Sequence, residues 1–345
     1  MTAGPHPRTG GRGGSPRGAG ASSALVVGCG RVGSRVAVLL READVELVLV
    51  DRDAARAARL AEVLGGAPHA AGDLDDVPPC DVVVLCVAAG DHVGLARWAL
   101  TWDAAVVSTS DAGGDVAGLI DLDAEARERG VAVVAGAGFT PGLSCLLARH
   151  AANLLDDVDE VHVTKAGTGG PDCARQHHAA LNGVAVDWRE GGWVRRRGGS
   201  GRQLAYFPEP VGPRDCYRAD VADAVLLQRA FPTCRRVTAR VAATRRDRLT
   251  AGLPMLRRPH PEGGPGALRV EVWGRRGGQR EVVVYGAVGP PGLVAGTVAS
   301  MAAGLVARQQ VPVGTSGLAE MADPLPWLAE LDARGVRVAS FEGVV

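Results

Sequence analysis

Ala24-Leu-Val-Val-Gly-Cys-Gly-Arg-Val-Gly-Ser34 is the stretch that decides the fold. Leu25-Val26-Val27 is a short apolar run, and it leads straight into glycines at 28, 30 and 33, the spacing G-x-G-x-x-G. That order reads as a buried strand, a tight turn and a helix. Gly28 makes the turn, Gly30 lets a pyrophosphate approach the backbone, and Gly33 lets the helix pack close to the strand. Cys29, Arg31 and Val32 complete the loop. Its N–H groups and the positive end of the helix dipole are suited to phosphate. Val36, Ala37, Leu39 and Leu40 supply the helix's apolar face.

A second strand, Val45 to Val50, ends in Asp51. An acid about 20 residues beyond the glycines stands where a ribose hydroxyl is bound. Asp51 favours NAD, because its carboxylate would repel the 2′-phosphate of NADP. Like charges about 4 Å apart cost up to about 4 kcal/mol at an effective dielectric of 20. NADP stays open as the alternative, since Arg52 and Arg56 follow the acid and arginine holds phosphate well.

Working outward, the chain of 345 residues is long enough for two cores. Its formal net charge is zero, which favours neither nucleic acid nor an anionic membrane as partner. No apolar run is long enough to span a bilayer, and the N-terminus has no signal-peptide core. Seven scattered cysteines form no C-x-x-C pair. That argues against a zinc site or disulfide framework and for a reducing cytoplasm. Lys165 is the one lysine among 38 basic residues, a position that can move a proton where arginine cannot.

Residues 1–23 are Gly, Pro, Arg, Ser and Thr with little else, and read as a disordered leader. Residues 24–142 alternate continuous apolar strands with helices. That is the pattern of a doubly wound parallel α/β sheet covered on both faces, with ligands at the carboxyl ends of its strands. Residues 143–290 change character. A helix over Leu143–Leu155 precedes alternating strands near 160–165, 183–188, 203–207, 236–243, 268–273 and 281–287, with turns rich in Gly, Pro and Asp. This predicts an α+β domain around a mostly antiparallel sheet. Residues 291–345 predict helices over Pro291–Arg308 and Pro326–Arg334 and a strand over Val336–Phe341, packed back on the first domain.

Four features in this order resemble the saccharopine dehydrogenase/reductase family. They are V-V-G-C-G-R-V-G-S, the acid-ended second strand, G-A-G-F-T-P-G-L-S at Gly136–Ser144, and G-T-S-G-L-A-E-M … W-L-A-E-L-D-A-R-G-V at Gly314–Val336. The resemblance implies a Rossmann domain with an inserted α+β domain and a C-terminal segment that returns to the first sheet. It implies nicotinamide-dependent hydride transfer to or from a C=N or C–N bond of an amino-acid-derived substrate. It also implies that Thr140 and Pro141 lie near the nicotinamide. Gly167–Pro171 with Arg175-Gln-His-His178 departs from the family's pattern, so the substrate is not read from it. Two other readings share this plan. One is a non-catalytic NAD-binding regulatory module, since the glycine loop also resembles those of potassium-uptake systems. The other is a semialdehyde or ketone dehydrogenase.

The chemistry is expected at the carboxyl ends of the strands. Val87, Ala88 and Ala89 are small enough for a cofactor to lie against, and Ser108-Thr-Ser-Asp111 closes the next strand. His177 and His178 titrate near neutrality and are candidate proton donors together with Lys165. Adjacent histidines on a helix point apart, so at most one faces a cleft, and no metal is expected. Arg175, Arg202 and Arg245 are candidate clamps for substrate carboxylates. A homodimer in the cytoplasm acting on a small molecule is the expected setting.

Overall fold

The computed structural model describes residues 22–341, except 67, 256, 257, 262 and 322. The leader expected over 1–23 therefore lies outside the described residues, apart from Ser22 and Ser23.

The chain begins as β1 (Ser23–Val27), α1 (Arg31–Glu42), β2 (Glu46–Val50), α2 (Ala54–Val63), β3 (His69–Ala71), β4 (Val82–Leu85), α3 (His92–Leu100) and β5 (Ala105–Ser108). It continues through α4 (Gly113–Ile120), α5 (Asp123–Glu128) and β6 (Ala132–Ala135). Each of β4, β5 and β6 is buried along its whole length. That is why their sequences are continuous apolar runs and do not alternate. All pairings in this sheet are parallel. The strand order is 3-2-1-4-5-6 with a late strand, β15 (Gly314–Gly317), added beside β6. The chain reverses direction across the sheet between β1 and β4, and the crevice opens there.

Two of these elements are hard to read from sequence. Helix α4 opens on Gly113-Gly114 and carries Gly118, which reads as a turn. A side chain at 118 would sit 2.7 Å from Val93 of α3, so the glycine is the price of close helix packing. Strand β15 is four residues bounded by glycines.

After α6 (Leu143–Ala152) comes β7 (Asp157–Ala166), the centre of the second sheet, then α7 (Pro171–Ala180) and the hairpin of β8 (Val184–Arg189) with β9 (Gly192–Arg197). Next are β10 (Gln203–Tyr206), β11 (Pro213–Tyr217), α8 (Asp223–Ala230), β12 (Arg236–Ala242) and α9 (Arg245–Thr250). The long pair β13 (Gly266–Arg276) and β14 (Gln279–Gly289) completes the segment. The path runs β10-β11-β12-β7-β13-β14, antiparallel throughout except where β12 lies parallel to β7. Small-residue-rich α10 (Pro291–Ala307) packs on α1 and against β4 and β5. Gly296 allows this, since a Cβ there would approach Arg35 to 2.6 Å. Two short helices, α11 (Leu318–Met321) and α12 (Leu325–Ala333), precede β16 (Arg337–Ser340).

One expectation is corrected. The final strand does not pack on the first sheet. β16 pairs antiparallel with β14 and forms the edge of the second sheet. The chain thus crosses to the first sheet for α10 and β15 and crosses back. One continuous apolar core runs through both sheets. No helix of the described residues is long and apolar enough to cross a membrane.

Candidate functional site

The glycine turn behaves as its spacing requires. Gly28 has φ +94° and its N–H donates to Val50 O at 2.7 Å; a Cβ on it would meet the Cys86 carbonyl at 2.6 Å. A Cβ on Gly33 would collide with the Gly28 carbonyl. Gly30 is different, for nothing lies within 4 Å of where its Cβ would be. The first two glycines are needed by the protein, and the third leaves room for something else. Gly30 is also the N-cap of α1, so no side chain caps the helix's first N–H groups.

Asp51 is buried behind this turn. It accepts from Cys29 N–H at 2.8 Å and from Asp53 N–H at 2.9 Å, and Arg56 Nη1 lies 3.4 Å away. Its carboxylate therefore holds the turn in shape as well as facing the crevice. Two adjoining cavities of about 460 and 610 Å³ share Gly30, Arg52, Arg56, Val87 and Ala88. Together they form one trough along the strand ends, of a size that holds a cofactor. Gly28 and Asp51 line its outer part; Arg31, Val32, Ala89, Thr140, Lys165, Arg175 and His177 line its inner part. Cys29 and Gly33 support the trough from below. Pro141 does not line it and lies before α6, whose N-cap is Gly142. The resemblance implied a place for it near the nicotinamide. Instead it packs beneath Gly136.

The Val87–Gly90 loop is pinned from behind. His92 Nε2 lies 3.1 Å from Val87 O and its Nδ1 lies 2.9 Å from Ser108 Oγ. Burial lowers the His92 pKa and keeps the ring neutral, able to donate at one nitrogen and accept at the other. Asp115 accepts from Gly90 N–H at 3.0 Å and from Ser110 Oγ at 2.7 Å.

The inner end of the trough is where the two sheets meet. Lys165, on β7, is 2 % exposed. Its Nζ donates to Asp111 Oδ2 at 2.8 Å and to Thr140 O at 3.3 Å, and lies 3.0 Å from His177 Nε2. Asp111 follows β5 in the first sheet and also accepts from His177 Nε2 and Gln176 Nε2. Cys173 Sγ lies 3.6 Å from His177 Nε2, one turn before it on α7. Burial alone would raise the Asp111 pKa, but Lys165 and His177 hold it well below the carboxylate range. Burial pushes Lys165 down, yet Asp111 and the nearby Asp223 hold it above its usual value. His177 is lowered by burial but raised by Cys173 and Asp111, to about 9. Two cationic groups, Lys165 and His177, thus flank the Asp111 carboxylate, which is how a cluster this buried is kept charged. His177 Nδ1 is buried without a partner among the described residues, so the ring exchanges protons through Nε2.

Asp111, Cys173 and His177 bring three potential ligand atoms within 4.8 Å of one another, close enough for a metal ion. The Lys165 ammonium already supplies a positive charge among them, at 2.8 and 3.0 Å. Beneath it Asp223 is buried and accepts from Ser144 Oγ at 2.6 Å; burial raises its pKa.

The other candidates separate. His178 points away and meets Thr250 Oγ1 at 3.0 Å. Arg175 lines the trough and pairs with Asp172. Arg202 pairs with Asp215 on the far strands, and Arg245 opens exposed α9; neither lines the trough. The sequence marks Asp111 only as the end of the Ser108–Asp111 strand closure, with no role, and does not single out Cys173. Asp111 stands at the carboxyl end of a strand, and Cys173 stands four residues before His177. Both signals are visible only once Lys165 is known to reach them.

A family model for the TrkA-N domain matches residues 24–77. That segment carries the glycine turn and Asp51, and the NAD expectation for the first sheet is borne out. No curated protein matches the chain in sequence. Among solved structures, saccharopine dehydrogenase (L-Glu forming) from Saccharomyces cerevisiae superposes with a TM-score of 0.66 at 15% identity, covering 93% of this chain and 100% of that one. A probable dehydrogenase from Thermotoga maritima gives 0.50 at 13%, over 92% and 98%. The fold is that of saccharopine dehydrogenase. The sequence resemblance implied this two-sheet plan, and it is borne out.

Proposed function

We propose that the chain is an NAD(P)-dependent oxidoreductase of the saccharopine dehydrogenase type, acting on a C=N or C–N bond of an amino-acid-derived substrate. The observation that carries this reading is the Lys165–Asp111–His177 cluster at the inner end of the trough that begins at the glycine turn. A nucleotide-binding module that only sensed its ligand would have no need of a buried ion cluster there.

When bound, a nicotinamide dinucleotide supplies or accepts the hydride. The turn around Gly30 and the start of α1 would hold its diphosphate, and Asp51 would face its ribose. Val87, Ala88 and Ala89 would give it a flat wall. The remaining task is the proton on nitrogen. His177 and Lys165, both protonated and with Nε2 and Nζ 3.0 Å apart, hold protons at a position open to the trough. A proton delivered to the imine nitrogen makes its carbon a better hydride acceptor; the reverse reaction needs the same pair to remove it. Asp111 orients both groups. Arg175, on the rim, is the clamp best placed for a substrate carboxylate. A cytoplasmic homodimer is the setting this reading assumes.

Fluorescence titration with NADH and NADPH tests the first half. Oxidation of the reduced cofactor in the presence of keto acid and amino acid pairs tests the second. A protein that binds neither dinucleotide sinks the reading. One that binds them and reduces only ketones or aldehydes moves the substrate class.

A further inference from the structure

Cys173 is unlike five other thiols of the chain. Cys29, Cys86, Cys145, Cys216 and Cys234 are raised to about 12, chiefly by burial. Such thiols are inert. Burial also works against the Cys173 thiolate, but His177 and Lys165 outweigh it and the pKa falls below its ordinary value. The geometry explains this. Cys173 is the third residue of α7, which starts at Pro171 behind Gly170. The thiol therefore stands in the first turn, at the positive end of the helix dipole. His177 is on the same face one turn later, with Sγ 3.6 Å from Nε2, and Lys165 Nζ is 3.0 Å from that nitrogen. Cys173 is part-exposed and lines the inner trough with Val87, Ala88 and Thr140.

We propose that Cys173 is a nucleophile and that the site has a second activity, the oxidation of a small aldehyde to its carboxylic acid through a thioester. The oxidation rests on the dinucleotide reading given above; the nucleophile does not. The thiolate sulfur forms a bond to the aldehyde carbon, and the carbonyl oxygen takes the proton from His177. The resulting hemithioacetal gives up its carbon-bound hydrogen as hydride to the oxidised nicotinamide and its hydroxyl proton to His177. A thioester is left, and one dinucleotide is reduced. Water then adds to the acyl carbon, the S–C bond breaks, and a carboxylic acid leaves with Cys173 regenerated. A Cys173-His177 pair held against Val87 and Ala88 has the parts for each step, with Lys165 able to stabilise the oxyanion.

Iodoacetamide at neutral pH, read by peptide mass spectrometry, tests the nucleophile without turnover. Cys173 is expected to react at least about tenfold faster than Cys145 or Cys216, and His177→Asn to lose most of that advantage. Incubation with propanal and NAD+, quenched in acid, is expected to show an acyl group on Cys173 that hydroxylamine removes. Cys173→Ser should then form neither the adduct nor aldehyde-dependent NADH, while its NADH-binding titration stays as in the parent. Labelling of Cys173 no faster than of the buried thiols overturns the nucleophile. NADH formed by Cys173→Ser at the parent rate overturns the thioester route. Fast labelling in a protein that binds no dinucleotide overturns the oxidation and leaves the nucleophile standing.

Discussion

Lys165 Nζ and Asp111 Oδ2 meet at 2.8 Å across the seam between the two sheets. One comes from the centre of the second sheet and the other from the loop after β5, so the ion pair ties the two sheets together at the place where the proposed reaction needs its proton donor. Lys165→Met should remove the proton path. Turnover with an imine substrate is expected to fall by about 10² to 10⁴, the usual worth of a positioned acid–base group. Dinucleotide affinity should stay close to the parent value. Stability should drop as well, since losing one member of a buried pair costs about 3–5 kcal/mol, and Asp111 keeps only His177 and Gln176. Lys165→Arg should restore stability better than activity, because arginine keeps the charge and cannot release the proton. Stopped-flow turnover and urea melts separate the two effects.

The pH profile follows from His177. Its folded pKa of about 9 lies above its ordinary 6.5. A raised value means that the protonated ring is favoured by the fold. Its contribution to stability is complete below 6.5 and is lost as pH rises through about 9. Reduction of an imine needs that proton, so kcat/KM in this direction should be level to about pH 9 and fall above it. Oxidation of the amine should rise over the same range. In His177→Asn both limbs should move, leaving whatever Lys165 alone contributes. A reductive profile that already falls near pH 6.5 would show that His177 is neutral in the working enzyme.

The first sheet is legible because its strands are buried on both faces. Val82–Leu85 and Ala132–Ala135 have no polar residue to confuse the pattern, and three glycines mark the turn. The site is half legible. Gly28, Gly30, Gly33 and Asp51 belong to one local motif, whereas Lys165, Asp111, Cys173 and His177 come from three separate segments. What unites them is the pairing of β7 with β12 and β13, and no spacing along the chain encodes that pairing. The same reason misled the arginine reading. Arg202 and Arg245 look like clamps in sequence, but strand order carries them away from the trough. The last strand is a related case. The period of Val336–Phe341 says that it is a strand and is silent on which sheet takes it.

Gly30 and Gly33 should separate folding from binding. A methyl on Gly33 has no room beside the Gly28 carbonyl, so Gly33→Ala should lose about 1–3 kcal/mol of stability and bind dinucleotide poorly. A methyl on Gly30 meets no protein atom within 4 Å, and its φ of −74° suits alanine. Gly30→Ala should melt within about 0.5 kcal/mol of the parent yet bind NADH at least about tenfold more weakly, a loss of about 1.4 kcal/mol. Parallel thermal melts and fluorescence titrations give both numbers. If Gly30→Ala binds normally, the open space there is not where the diphosphate lies.

Arg56 should govern tolerance of the 2′-phosphate. It is half-exposed, lines both cavities and reaches Asp51 at 3.4 Å. Arg56→Ala removes one charge-assisted contact, worth about 1.5–3 kcal/mol, which NADPH would use and NADH would not. NADPH affinity should therefore fall at least about tenfold while NADH affinity changes little or improves. Equal losses for both cofactors would mean that Arg56 acts by holding Asp51 in place.

The arginines give the sharpest comparison of position with composition. Arg175 is on the trough wall, one turn of α7 after Asp172, and Arg31 at the start of α1 lines the same trough. Arg202 is tied to Asp215 at 2.9 Å, and Arg245 begins an exposed helix behind a Thr244–Asp247 capping box. Arg175→Ala should raise KM for a dicarboxylate substrate with little change in kcat, the mark of binding shared by ground and transition states. The loss of one charged hydrogen bond sets the scale, about 1.5–3 kcal/mol, or roughly ten- to a hundredfold. Arg202→Ala and Arg245→Ala should leave KM within about twofold, since surface changes away from a site stay within about 0.5 kcal/mol. Steady-state kinetics on the three variants decides it. A raised KM at Arg202 and none at Arg175 would move the substrate to the other side of the second sheet.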